Sequence, residues 1–299
     1  MIGHYEKLQH YSTKDGPGIR TTVFLCGCNL RCKWCANPEL IKSDGNIFYY
    51  KEKCQHCGAC VNASNGTIVF DDVGVKIDRD KCTNLKQISD LCLYDAYEII
   101  QKDIDSDDLV NRLVKEKIYF DKSGGGVTFS GGEALLQSDF VYECTKKLHE
   151  NNIHVTLDTA GNIDFSKIEK LIKEVDLVLY DVKAYDEDVH IKCTGVSNKL
   201  ILENLKKIND LGKKIIIRMI IVPKMNDDIQ DIKKRIDYCA NLENIIQIDF
   251  LKYHIYGVGK YEKLGIEYPL KDIGEVSDTL IEEVVNYANS KNIKTTIGG

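Results

Sequence analysis

The sequence has no excess of positive charge, no long hydrophobic run and no apolar segment near its first residue. Its formal net charge is −6, so it lacks the basic face that nucleic-acid-binding proteins present. The longest apolar run, Ile215–Val222, is short and is interrupted by Arg218, which favours a buried strand over a membrane span. Met1–His10 contains no apolar h-region, so we expect no secretory signal and a cytoplasmic location.

Cysteine, in contrast, is abundant. Twelve cysteines in a chain with no visible export signal indicate metal or redox chemistry in a reducing compartment, and not disulfides. The length of 299 residues and the 43% hydrophobic content are enough for one large α/β domain together with a small one.

Three cysteines lie close together in the pattern Cys-x3-Cys-x2-Cys, formed by Cys28, Cys32 and Cys35. Such soft thiolates select iron–sulfur clusters, zinc or Cu(I). A cubane cluster needs a ligand on each of its four irons, so three cysteines would leave one iron open to a substrate. Structural zinc is the alternative at this site. It normally takes four ligands in two well-separated pairs, which three clustered cysteines do not supply.

Predicted strands and helices alternate after about residue 103, which is typical of a parallel sheet or barrel. The unusual polar residues each follow a predicted strand, and in (β/α) barrels the active site forms at that rim. These residues are Gly131, Gly132, Glu133, Asp158, Thr159, Asp181, Lys183 and His254.

A cysteine-rich segment separates the cysteine loop from this alternation. It reads Cys54-x2-Cys57-x2-Cys60, followed by Cys82 and Cys92. Two-cluster ferredoxins repeat Cys-x2-Cys-x2-Cys-x3-Cys, and the fourth cysteine of each run ligates the other cluster. That template completes one ligand set and leaves Cys82 as the remnant of a second.

We therefore predict three segments: residues 1–46 as the start of the main domain, 47–102 as a ferredoxin-like insert, and 103–299 as the remainder. The insert would hold one auxiliary [4Fe–4S] cluster on the complete set of four cysteines. A zinc ribbon on the same four residues and an insert without metal are the alternatives. The four cysteines are Cys54, Cys57, Cys60 and Cys92.

The cysteine loop, with Trp34 just before its last cysteine, resembles the signature of radical S-adenosylmethionine (SAM) enzymes. The run Asp15–Leu25 and the segment Asn37-Pro38-Glu39 resemble the glycyl-radical-enzyme activating enzymes. This resemblance implies an α/β fold, a partial (β/α)6 radical SAM barrel. It also implies that a reduced cluster cleaves SAM to methionine and a 5′-deoxyadenosyl radical, which takes hydrogen from a glycine Cα of a partner enzyme.

The resemblance also implies contacts with SAM. Gly131-Gly132-Glu133 is similar to the family's Gly-Gly-Glu motif, whose glycines allow close approach and whose carboxylate meets the SAM amino group. Here Ala134 follows, where family members often have proline. Lys183 would pair with the SAM carboxylate, and a surface salt bridge with Asp181 is the alternative.

Further roles are implied for single residues. Asp158-Thr159 and Asp181-x-Lys183 resemble two further activase motifs. In the pyruvate formate-lyase activase, carboxylates at matching positions hold a monovalent cation, so Asp158, Thr159 and Asp181 are the expected ligands of Na+ or K+, and hard oxygen ligands suit such an ion. Arg218 would be costly in an apolar strand unless it pairs with an active-site carboxylate or with the SAM carboxylate.

Three more residues are expected near the ligands. His254 matches a family histidine near SAM, and the alternative is a packing residue. Trp34 would lie against the adenine or serve in the core. Asp15 would line the opening that admits the glycine loop.

The implied partners are a glycyl radical enzyme and a flavodoxin or ferredoxin reductant, with no role for nucleic acid or a membrane. The sequence does not select among the glycyl radical enzymes. Two alternatives remain open: a radical SAM enzyme that acts on a small molecule, and a non-catalytic iron–sulfur or zinc-binding electron-transfer protein.

Overall fold

Strand-forming and amphipathic segments alternate along the chain. The structure, a computed structural model, describes residues 1–43, 46–72 and 74–298. These residues form one nine-stranded sheet and two small two-stranded sheets. Within the described ranges, no helix has the length and apolar content needed to cross a membrane.

The strands are β1 (Ile2–Ser12), β2 (Arg20–Leu25), β3 (Ile47–Tyr49), β4 (Ile68–Asp71), β5 (Gly74–Ile77), β6 (Tyr97–Ile99), β7 (Lys102–Asp105), β8 (Gly126–Gly131), β9 (His154–Thr159), β10 (Leu177–Asp181), β11 (Ile215–Ile221), β12 (Ile245–Lys252) and β13 (Thr295–Ile297). The α-helices are α1 (Ala59–Ala63), α2 (Leu85–Leu91), α3 (Ser106–Val114), α4 (Lys117–Ser123), α5 (Ser138–Glu150), α6 (Glu169–Glu174), α7 (Glu187–Thr194), α8 (Lys199–Asp210), α9 (Ile229–Ala240), α10 (Val258–Leu264) and α11 (Asp278–Ser290).

The large sheet has the order β13-β12-β11-β10-β9-β8-β2-β1-β7. Neighbours from β2 to β13 run parallel, whereas β1 is antiparallel to both β2 and β7. Helical segments connect consecutive parallel strands, as parallel pairing requires. The predicted α/β class is confirmed.

Burial follows the sequence pattern. In β11 the side chains of Ile215, Ile217 and Ile221 share one face of the strand and are fully buried, because successive side chains point to opposite faces. Arg218 and Ile220, on the other face, are half-buried. Helix α5 buries Phe140 and Leu148 along one face, in agreement with their helical spacing.

Some local expectations differ from the structure. The spacing of apolar residues from Leu109 to Ile118 predicts one helix capped by Ser106, but the chain forms α3 and α4 instead. The capping side chain is Asp105, which accepts a hydrogen bond from the Asp107 amide. Ser106 donates its hydroxyl hydrogen to Glu143, so it is not free to cap.

The cysteine-rich segment forms a small unit with the order β3-α1-β4-β5-α2-β6. Strand β3 pairs with β6 and β4 with β5, both antiparallel. Its interior contains Ile47, Ile68, Cys82, Ile88 and Tyr97, which pack apart from the core of the large sheet. The chain returns to the large sheet at β7. The predicted segment boundaries at 46 and 102 stay a prediction.

Candidate active site

A cavity of about 340 Å³ lies where the carboxyl ends of the parallel strands meet. It is lined by every residue of the main domain that the sequence singled out. These are Asp15, Cys28, Cys32, Trp34, Cys35, Gly131, Gly132, Glu133, Asp158, Thr159, Asp181, Lys183, Arg218 and His254. Parallel strands bring their carboxyl ends to one edge of a sheet, which is why residues so distant in sequence converge here.

The cysteine loop is fixed by backbone hydrogen bonds to other parts of the fold. It leaves β2 through Gly27, whose φ of +98° favours glycine. The amide of Cys28 donates to the Ile41 carbonyl at 3.0 Å, and that of Arg31 donates to the Thr194 carbonyl at 2.7 Å. These bonds hold the loop against the end of α7 without using the thiols.

The three thiols of the loop line the cavity together. Burial raises the pKa of Cys28 to about 11 and that of Cys35 to about 12. Burial also raises the pKa of Cys32, and the nearby Lys183 ammonium opposes the rise. Thiols in such a setting become thiolates when a metal binds and displaces their protons.

A single metal ion and a cubane cluster make different demands on the thiols of Cys28, Cys32 and Cys35. In the described parts of the chain there is no group of three or more His, Cys, Asp or Glu side chains that could hold a single metal ion. A cubane cluster makes a different demand, since each cysteine binds a separate iron. Three thiols around one cavity fit that demand.

The glycines of the Gly-Gly-Glu motif allow close contact between two segments of the chain itself. A Cβ on Gly131, where φ is +107°, would lie 2.4 Å from the Leu25 nitrogen. A Cβ on Gly132 would lie 2.2 Å from the Gly27 carbonyl oxygen. Both glycines are therefore required for the β8 end to pack against the start of the cysteine loop.

Glu133 is almost fully buried and has three protein donors. Its carboxylate accepts from the Thr159 hydroxyl at 2.6 Å, the Ala160 amide at 2.9 Å and the Leu135 amide at 3.1 Å. Burial raises its pKa, and these bonds oppose the rise. A carboxylate has ~four acceptor positions, so little capacity is left for a ligand. The contact with a SAM amino group stays a prediction.

Asp158 and Arg218 form an ion pair inside the cavity. Arg218 Nη1 lies 3.1 Å from Asp158 Oδ2, which also accepts from the Ser130 hydroxyl at 2.6 Å. Of the two partners predicted for Arg218, the structure shows the active-site carboxylate. Arg218 Nε is buried and has no hydrogen-bond partner among the described residues.

Asp181 and Lys183 form a second pair, with a distance of 2.6 Å between Nζ and Oδ2. The salt bridge given as the alternative is therefore present, and its Lys183 is only 9% exposed; the pairing of Lys183 with the SAM carboxylate stays a prediction. Burial lowers the pKa of Lys183, but the Asp181 carboxylate and the Cys32 thiol raise it more, and the net direction is upward. The Asn226 side chain donates to the Lys183 carbonyl and fixes this segment.

The expected cation ligands already have partners. Asp158 and Asp181 each pair with a basic side chain, and Thr159 donates its hydroxyl hydrogen to Glu133. The monovalent cation stays a prediction.

Three residues stand at the walls and mouth of the cavity. Trp34 lines it and also belongs to the main apolar core, and its contact with the adenine stays a prediction. His254 is exposed and stacks on Tyr256 with ring centroids 4.3 Å apart. Asp15 accepts a hydrogen bond from the Thr22 hydroxyl at 2.7 Å.

A second, smaller cavity lies in the small unit. The four cysteines predicted as a set all line it: Cys54, Cys57, Cys60 and Cys92. The loop turns back through His56 and Gly58, both with positive φ, and the His56 amide donates to Cys54 Sγ at 3.4 Å. Cys82 lies outside this lining, where its thiol donates to Asn84 Oδ1 at 3.4 Å.

Helix α10, which the sequence analysis did not identify, joins the two regions. Lys260 contacts Glu39 at 2.5 Å, and the Tyr261 hydroxyl donates to the Cys35 carbonyl at 3.1 Å. From the small unit, Arg79 donates to the Leu264 carbonyl at 2.7 Å. A seven-residue helix with a weak apolar pattern offers little sequence signal, although Gly265 at its end is a typical helix stop.

This chain is similar to known proteins along most of its length. Residues 22–236 match the Radical SAM superfamily. The chain is 38% identical to the trans-4-hydroxy-L-proline dehydratase activating enzyme of Clostridioides difficile, with 98% of each chain covered. It is 34% identical to the benzylsuccinate synthase activating enzyme of Thauera aromatica, with 98% of this chain and 92% of that enzyme covered.

Solved structures are similar over part of the chain. A domain of pyruvate-formate lyase-activating enzyme from Bacteroides vulgatus superimposes with a TM-score of 0.51 at 27% identity, covering 59% of this chain and 100% of that domain. Streptococcus suis SuiB bound to S-adenosylmethionine gives a TM-score of 0.51 at 21% identity, covering 66% and 44% of the two chains. The second likeness concerns the fold alone. Together with the family match, these neighbours confirm the predicted partial barrel.

Proposed function

The chain belongs to the Radical SAM superfamily and, within it, to the activating enzymes of glycyl radical enzymes, and on that basis we propose that its cavity holds a [4Fe–4S] cluster and SAM. The cluster would be held by Cys28, Cys32 and Cys35. The observation that carries the proposal is that these three thiols share one cavity with four acidic side chains and with Lys183 and Arg218.

When bound, the cluster supplies the electron that cleaves SAM to methionine and a 5′-deoxyadenosyl radical, which takes hydrogen from a glycine Cα of the partner enzyme. The protein contributes the three cysteine ligands and the cavity around them. Three thiols serve three of the four irons, so the protein leaves one position for the ligand.

The charged side chains suit the zwitterionic methionine end of SAM. Lys183 supplies a point charge for its carboxylate, and Arg218 Nε is a buried donor without a partner among the described residues. Asp158 supplies an acceptor for its ammonium group, and Glu133 offers only the one acceptor position that its three protein donors leave. Trp34, at the cavity wall, offers an aromatic face to the adenine.

A narrower proposal is that Asp158, Thr159 and Asp181 hold Na+ or K+ beside the SAM carboxylate. Oxygen ligands at strand ends favour such an ion. It would have to share these carboxylates with Arg218 and Lys183. The test is SAM cleavage in sodium, potassium and tetramethylammonium buffers, and equal rates in all three would contradict it.

We further propose an auxiliary [4Fe–4S] cluster on Cys54, Cys57, Cys60 and Cys92. The support is that all four thiols line one cavity and that a backbone amide donates to Cys54 Sγ, because such hydrogen bonds stabilise cluster sulfur. A flavodoxin or ferredoxin would supply the electron, in an anaerobic cytoplasm.

The partner would be a glycyl radical enzyme whose glycine loop enters the cavity beside Asp15 and His254. The relatives are named as the activating enzymes of trans-4-hydroxy-L-proline dehydratase, 4-hydroxyphenylacetate decarboxylase, benzylsuccinate synthase and choline trimethylamine-lyase. Recombinant glycyl radical enzymes of these classes form the test panel, and the readout is the EPR doublet of a glycyl radical after incubation with SAM and reductant.

The first experiment is anaerobic reconstitution followed by iron and sulfide counts and a SAM-cleavage assay. Two cubanes predict about eight irons in the wild type and about four in a Cys28/Cys32/Cys35→Ala variant, with 5′-deoxyadenosine formed only by the wild type. About four irons in the wild type and none in the variant would leave the cysteine loop as the only cluster site. Absence of 5′-deoxyadenosine from fully loaded wild type would contradict the proposal.

A further inference from the structure

Two tyrosines of the small unit form a pair beside its cysteines. Tyr49 on β3 lies opposite Tyr97 on β6 in the antiparallel register, and their ring centroids are 5.4 Å apart. Tyr97 is 7% exposed and lines the cavity of the four cysteines. Residues opposite each other on antiparallel strands share one face of the sheet, so both rings stand on the same side.

Both hydroxyl groups are buried and have no hydrogen-bond partner among the described residues. A buried hydroxyl without a partner destabilises the fold, and buried tyrosines usually find an acceptor. The Tyr49 hydroxyl lies close to Gly74, where a Cβ would lie 3.1 Å from the Tyr49 oxygen. A larger residue at position 74 would therefore crowd this hydroxyl.

The neighbouring acceptors are cysteine sulfurs. Tyr49, Cys54 and Cys60 all pack against the buried cluster of the small unit. Tyr97 lines one cavity together with Cys54 and Cys60. A neutral thiol is a weak acceptor, whereas a metal-bound thiolate carries negative charge and accepts a stronger hydrogen bond.

We propose that the hydroxyls of Tyr49 and Tyr97 donate hydrogen bonds to the sulfur atoms of Cys54 and Cys60 when these hold the auxiliary cluster. This inference rests on the auxiliary cluster of the proposed function. The two tyrosines are positioning residues, because they act on the cluster through its ligands. Hydrogen bonds to sulfur stabilise the reduced, more negative form, so they raise the reduction potential.

The test compares Tyr→Phe variants in full-length protein that carries the Cys28/Cys32/Cys35→Ala changes, so that only the auxiliary site can report. The variants are Tyr97→Phe, Tyr49→Phe and the double variant. Tyr50→Phe is the matched control, because Tyr50 is the next residue in the chain and its hydroxyl donates to Glu98 instead. Iron content, the midpoint potential from an EPR-monitored titration and deuterium-exchangeable proton couplings from ENDOR are measured.

We expect each Tyr→Phe change to make reduction about tenfold less favourable, which is a shift of about 59 mV toward negative potential for one electron. Each change should also remove one exchangeable proton coupling, and Tyr50→Phe should alter neither quantity. If Tyr97→Phe does not retain iron, Tyr49→Phe alone carries the same two measurements.

Two failures are distinguishable. A protein that takes up no iron, or that takes up zinc at this site, overturns the auxiliary cluster and the tyrosine inference together. About four irons, with potentials and proton couplings unchanged by the Tyr→Phe changes, overturns the tyrosine inference and leaves the auxiliary cluster in place.

Discussion

The barrel cavity and the cavity of the small unit both gather cysteines, but their surroundings differ. Three thiols of the barrel cavity share it with Asp158, Asp181, Lys183 and Arg218. The described lining of the smaller cavity contains four thiols and several aromatic rings, and no Asp, Glu, Lys or Arg. An incomplete ligand set with charged neighbours suits a site that receives a polar ligand, and a complete set among aromatic rings suits a closed one.

The two cavities are also held differently. The cysteine loop depends on distant parts of the fold, through backbone bonds to residues 41 and 194 and through Tyr261. The small unit has its own buried cluster around Ile68 and Ile88. Removing the cysteines of one cavity should therefore leave the other cavity folded, so the iron content of each can be measured separately.

The largest difference is expected from removing each cysteine set. Cys28/Cys32/Cys35→Ala should abolish SAM cleavage, because no ligand for the open-iron cluster remains. Cys54/Cys57/Cys60/Cys92→Ala should lose a similar amount of iron but still form 5′-deoxyadenosine with dithionite, since the charged residues around the first cavity are intact. Loss of cleavage in both variants, measured on matched iron content, would show that the cavities do not function separately.

The next largest effect should come from the half-buried ion pair of the barrel cavity. Arg218→Met leaves Asp158 without its ion-pair partner. The side chains of this pair are 17% and 14% exposed, so we expect a loss of ~2–3 kcal/mol of the free energy of unfolding, less than the ~3–5 kcal/mol typical of a fully buried pair. Lys233→Met is the control, because it breaks a pair with the exposed Glu283 that is worth ~0–1 kcal/mol. Urea unfolding of both variants measures the difference, and equal losses would mean that the pair at Arg218 stabilises the fold no more than an exposed one.

A smaller effect is expected from adding one methyl group beside the cysteine loop. Gly132→Ala places a Cβ against the Gly27 carbonyl and should cost ~1–3 kcal/mol by overpacking, with lower iron retention at the loop. Gly259→Ala has open space around its Cβ and should be neutral or slightly stabilising. Iron retention by Gly132→Ala equal to that of the control would contradict the close packing of β8 on the loop.

The smallest effect concerns Cys82. Because its thiol lies outside the cavity of the four cysteines, Cys82→Ala should leave the iron content unchanged and cost only ~1 kcal/mol of stability. Cys60→Ala, in contrast, should lose iron from the auxiliary site. Iron loss in Cys82→Ala would mean that the second ferredoxin ligand set is not vestigial.

The sequence predicts residues that stand at strand ends, since local patterns mark both the strand and the polar residue that follows it. It does not predict which side chains then bond to one another. Nothing near Glu133 in the sequence indicates that Thr159 and Ala160 bind its carboxylate, because those contacts cross from one strand end to the next. Strand β1 was also missed, since its side chains do not alternate cleanly between buried and exposed.

The contacts of α10 form late, because this helix is synthesised long after the segments that it contacts. Lys260 binds Glu39, 221 residues earlier in the chain, and Arg79 binds the carbonyl of Leu264. Because domains fold as they leave the ribosome from the amino end onward, the cysteine loop and the small unit emerge long before the helix that braces them. A nascent chain lacks this brace until residue 264 is made, so we expect durable loading of iron and sulfide only after that point.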